Sequence, residues 1–106
     1  MVLDTTLLEL AKIRAKEICD YYSHDTDTFT NRSAENIAGG ADNLDRIFSA
    51  WKDSEGHYRN MINKDLKYFA YAAYNKDERK PSYSKGVQLF WTESARRAYF
   101  AYKSQH

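Results

Sequence analysis

A chain of 106 residues is one domain, long enough to bury an apolar core without metals or disulfide staples. With 16 basic and 15 acidic residues the formal net charge is +1, so no overall field draws nucleic acid or an anionic membrane. The single Cys19 rules out an intrachain disulfide, and no stretch reaches the roughly 18 to 20 apolar residues that cross a bilayer. The opening Met1-Val2-Leu3-Asp4 lacks the basic-then-apolar plan of a secretory leader.

Leu7, Ala11, Ile18 and Tyr22, flanked by Leu8, Ala15 and Cys19, recur at helical spacing. They predict an amphipathic helix that starts at a Thr6–Glu9 capping box and ends near His24. Cys19, on its apolar flank, reads as a small buried hydrophobe. Asp25 to Ser33 is rich in Asp, Thr and Asn, side chains that compete with the backbone for hydrogen bonds, and reads as a loop. After Gly39-Gly40, the spacing of Leu44, Ile47, Phe48 and Trp51 predicts a second helix capped by Asp42 or Asn43. Ser54 can cap a short third helix carrying His57, Tyr58, Met61 and Ile62.

Residues 68–74 and 86–92 are aromatic and partly β-branched and predict an antiparallel pair, joined by a long loop that holds Pro81. Ala95, Ala98, Tyr99 and Tyr102 then predict a C-terminal helix, with Arg96 and Arg97 on its solvated side. Phe48, Trp51, Phe90 and Trp91 read as core.

Three segments resemble the bacterial branch of the CAP superfamily, the cysteine-rich secretory, antigen-5 and pathogenesis-related group. Residues 11–18 leading to Ser23-His24 are similar to its first-histidine helix. Ala34-Glu35-Asn36-Ile37-Ala38 resembles its Gly-Glu-Asn-Ile-Ala motif, with Ala34 in place of glycine. Trp51-Lys52-Asp53-Ser54-Glu55-Gly56-His57 continuing to Asn60 resembles Trp-x-x-Ser-Pro-Gly-His-x-x-Asn, with Glu55 in place of proline. The match continues into Phe90-Trp91-Thr92, and the common order of the segments makes it more specific than any one of them.

The resemblance implies a three-layer α/β/α sandwich with a small antiparallel sheet, a single domain over residues 1–106. It also implies that the family's usual first helix is lacking and that residues 93–106 form an extra helical extension, expected to cover the sheet face so exposed. His24 and His57 are expected to face one another across a cleft, joined by Glu35, with Ser54 lining it and Glu55 at its rim. Family members are secreted or displayed on the cell surface, and the resemblance carries that location to this chain.

Two functions follow as expectations. The preferred one is a non-enzymatic binding module for a protein, lipid or glycan, needing no cofactor but with room in its cleft for a divalent metal such as zinc. No Ser or Cys is visibly paired with a His and an Asp as nucleophilic catalysis requires. The alternative is a metal-dependent hydrolase in which His24 and His57 hold the ion and Glu35 acts as general base. A nuclease built on His57 and Asn60 is disfavoured by the neutral charge. An apolar face without its usual helix also allows a homodimer.

Overall fold

The computed structural model describes residues 1–39, 51, 55–77 and 84–106. In chain order these form β1 (Val2–Leu3), α1 (Thr5–Asp20), β2 (Ala34–Gly39), α2 (Glu55–Ile62), β3 (Tyr68–Asn75), β4 (Ser84–Trp91) and α3 (Glu93–Gln105). The strands make one sheet in the order β1-β3-β4-β2. The antiparallel pair predicted over 68–74 and 86–92 is its centre, with Ala70 opposite Leu89 and Ala72 opposite Val87. β2 adds antiparallel to β4. β1 adds parallel to β3, so the sheet is mixed rather than purely antiparallel. The second predicted helix, apart from Trp51, and the turn at Pro81 lie outside the described residues.

Alternation along the strands sorts the two faces. Ile37, Ala70, Ala72, Val87, Leu89 and Trp91 share a core with Leu7, Leu10, Ala11, Ala15 and Ile18 of α1. Each fully buried Leu or Ile there contributes about 1.5–3 kcal/mol. The in-between residues Asn36, Tyr71 and Gln88, aligned across three strands, serve the opposite face. There Trp51 meets Tyr71 edge to face at 5.6 Å, and α2 docks through Asn60 Nδ2, which donates to Asn36 Oδ1 at 2.9 Å. The result is a small α/β sandwich, with α1 on one face and α2 on the other. Phe90, Trp91 and Trp51 are fully buried, as their apolar bulk predicts.

Both ends of α1 differ from the sequence expectation. The N-cap is Asp4, whose Oδ1 accepts from Leu7 N at 2.8 Å, while Glu9 of the expected box pairs instead with exposed Lys12. Asp4 outcompetes Thr6 because Arg96 Nε holds its second oxygen at 2.8 Å and its own N–H donates to Phe69 O at 3.0 Å. At the other end the helix stops at Asp20, with Tyr21 extended at φ −140°, so Tyr22 is 51% exposed instead of continuing the apolar face. Arg14 Nη2 donates to Ser23 O at 2.9 Å and draws the chain away from the helix axis. Cys19 is only half-buried, its Sγ donating to Ala15 O at 3.4 Å, and burial pushes its thiol pKa up.

The C-terminal helix forms as predicted, with Thr92 as N-cap. Its buried residue is Tyr99, with a ring centroid 5.1 Å from that of Trp91, whereas Ala98 and Tyr102 are exposed. Arg96 is not simply solvated, since it pairs with Asp4 and lies over the rings of Tyr68 and Phe100.

Candidate functional site

The site grows from an anomaly on α1. Arg14 falls on the buried stripe, three residues after Ala11 and four before Ile18, and its side chain is 1% exposed. A guanidinium so buried is tolerated only with its charge matched and its donors satisfied. The partner comes from the edge strand: Arg14 Nε donates to Glu35 Oε2 and Nη2 to Oε1, both at 2.8 Å, in a two-pronged pair. Strand alternation turns Glu35 to the α1 side while Asn36, the next residue, serves α2.

His24 completes the cluster, its Nδ1 lying 2.8 Å from Glu35 Oε1. A carboxylate only accepts, so Nδ1 carries the proton and Nε2 takes the acceptor role in the neutral ring. Arg32 Nε stands 3.4 Å from Glu35 Oε2. Both carboxylate oxygens are thus engaged, each by the buried guanidinium.

The loop above is fastened from the same helix. Glu17 accepts from Thr28 Oγ1 at 2.8 Å, from Thr26 Oγ1 at 2.8 and 3.0 Å, and from Arg14 Nη1 at 3.2 Å. Burial pushes its carboxyl pKa up, but the bonds from Thr28, Thr26 and Arg14 outweigh that and hold it below the ordinary value. Burial likewise opposes the charge of Arg14, and Glu35 with Glu17 more than restores it. At the far end of the loop Asn31 adopts a left-handed φ of 51°, which asparagine tolerates well, and its Nδ2 donates to Ala95 O of α3 at 2.9 Å. A groove of about 490 Å³ follows this loop, its walls including His24, Thr28, Phe29, Asn31, Arg32 and Glu35. Phe29 is 41% exposed, with its ring centroid 4.2 Å from that of Tyr102.

Of the residues predicted from sequence, His24 and Glu35 are brought together. His57 lies on α2, which reaches β2 from the face opposite Glu35; its side chain, Glu55's side chain and all of Ser54 lie outside what is described. Asn60, weighed above as part of a nuclease, bonds Asn36. Sequence reasoning missed Arg14, Glu17 and Arg32. A signal for Arg14 exists in the sequence, because a cation on an apolar stripe requires a buried anion and Glu35 stands out by its motif.

Among the described side chains, the donors around Glu35 fit a divalent metal poorly. A zinc–carboxylate bond needs an oxygen at about 2.0–2.2 Å. Glu35 offers none that is not already bound to Arg14, and an ion there would sit beside two guanidinium groups. Among the described residues no group of three or more His, Cys, Asp or Glu is placed to hold a metal. None of the described helices is long and apolar enough to cross a membrane.

Comparison with known proteins agrees with this architecture. No curated protein sequence matches the chain. Among solved structures it is similar to an outer surface protein from Borrelia burgdorferi, with a TM-score of 0.69 and 22% identity over 85% of this chain and 75% of that one. That likeness shows the mixed α/β fold. The model of the CAP family, described as the cysteine-rich secretory protein family, matches residues 1–93, and the chain therefore belongs to that family.

Proposed function

We propose that the chain is an extracellular or cell-surface binding module without catalytic activity, presenting the groove along residues 24–35 to a protein, lipid or glycan. The observation that carries this reading is the way α1 fixes that loop from beneath, through Glu17 to Thr26 and Thr28 and through Arg14 to Ser23 and Glu35. A loop already held in place loses little further entropy when a ligand seats on it. The same bonds oppose the hydrolase alternative, since a general base must have an oxygen within reach of the proton it abstracts. An exposed location is supported by the family's description as secretory and by the similar structure's being that of an outer surface protein.

The test pairs binding with turnover. The labelled chain is titrated onto immobilised glycans, phosphatidylcholine vesicles and intact cells, and is incubated with ester, peptide and phosphodiester substrates. The reading predicts saturable binding to one of the three surfaces, weakened about tenfold by Phe29→Ala at the groove wall, a loss equivalent to about 1.4 kcal/mol. It also predicts no turnover. Hydrolysis by the wild-type chain that disappears in Glu35→Gln, or no saturable binding to any surface, overturns it.

A further inference from the structure

We propose that the Arg14 guanidinium is a built-in cation for this cleft, neutralising Glu35 and fixing His24 in the way a divalent ion would, so that the cluster is assembled and held without metal. Three observations carry the inference. Arg14 rides on the buried face of α1, so folding α1 onto the sheet delivers the positive charge to the strand edge every time. Its two nitrogens at 2.8 Å take one bond on each oxygen of Glu35, and His24 Nδ1 at 2.8 Å and Arg32 Nε at 3.4 Å approach the same two oxygens. That engages most of a carboxylate's acceptor capacity of about four sites. Arg14 also reaches Ser23 O and Glu17, so one side chain joins the strand, the helix end and the loop.

A metal that holds a fold together makes stability depend on metal supply and on chelators. A guanidinium tethered by the main chain carries no such dependence. Removing it leaves Glu35 a buried carboxylate with only Arg32 Nε, at 3.4 Å, as counter-charge, next to an imidazole. Those are two donors suited to zinc, and the nearer of the two guanidinium charges that oppose the ion is gone.

The experiment uses the purified full chain, zinc chloride as the probe, calorimetry, and thermal melts with and without EDTA. Wild type is expected to give no binding heat at micromolar zinc and the same melting temperature with zinc or with EDTA. Arg14→Gln is expected to melt on the order of 10–20 °C lower. Zinc should recover part of that loss, and the recovery should vanish in the Arg14→Gln, Glu35→Gln double variant. Should Arg14→Gln fail to fold, Arg14→Lys decides, since it keeps the charge without the two-pronged geometry: a lowered melting temperature with no zinc response supports the inference.

Four results would overturn it: zinc heat in wild type that is lost in His24→Ala, an EDTA-induced drop in wild-type melting, a folded Arg14→Gln that melts like wild type or ignores zinc, or zinc binding by Arg14→Lys. The inference does not rest on the binding-module reading. Zinc heat without turnover sinks the inference alone, and turnover by the metal-free chain sinks the other alone.

Discussion

Glu17 shows how much a single side chain does at the junction of α1 with the loop. It is one-third exposed, yet accepts from two threonines and Arg14, and these bonds hold its pKa below the ordinary 4.5. Its contribution to stability is therefore fully present above that value and is lost as pH falls through the lower value of the folded state. Glu17→Gln should cost on the order of 1 kcal/mol at neutral pH, discounted for solvent screening. In urea titrations the difference from wild type should shrink steadily as pH drops below 4.5, whereas a gap constant from neutral to acid would show that the charge does not matter. The residue scale is also where the sequence is least legible. Glu35 and His24 stand out by resemblance, whereas Glu17 looks like an ordinary helix charge and Arg14 is marked only by its place on the apolar stripe of α1, because hydropathy alone does not distinguish a paired buried arginine from an exposed one.

At the scale of elements, legibility follows the strength of the periodic signal. The central strands are readable to within two residues because aromatic and β-branched side chains cluster there; α1 and α3 are readable as helices because four or more apolar positions repeat in each, although α1 stops at Asp20, four residues before its expected end. β1 escapes such reading, since two exposed residues leave no pattern and pair only because β3 offers an edge. The α1 cap falls two residues before the expected one, because a capping box is a local rule and the winner is decided by a contact 92 residues away. Asp4 uses one oxygen for Leu7 N and the other for Arg96. Asp4→Ala should thus cost about 1–3 kcal/mol, more than a cap alone. In the Asp4→Ala, Arg96→Ala cycle measured by urea unfolding, the coupling should be at least about 0.5 kcal/mol. Strict additivity would mean that the ion pair is incidental.

For the whole molecule, the sandwich is readable because the three resembling stretches keep their order, and order constrains topology more than any single motif. The family match ends at residue 93, where α3 begins, yet α3 is bound into the same core. Tyr99 packs on fully buried Trp91, Asn31 bonds Ala95 O, and Arg96 anchors the start of α1. Removing α3 would expose Trp91 and Phe29 and leave Asp4 without its counter-charge. Losses at large buried rings run to about 3–5 kcal/mol, against a total stability of about 5–15 kcal/mol for a domain. A chain ending at residue 92 should therefore fail to give a cooperative thermal transition or remain insoluble, while full-length Tyr99→Ala should stay folded with a melting temperature lowered by roughly 10 °C or more. A truncated chain that melts with the full-length one would show that the sandwich is complete without α3 and that Trp91 gains its burial from the loop and sheet alone.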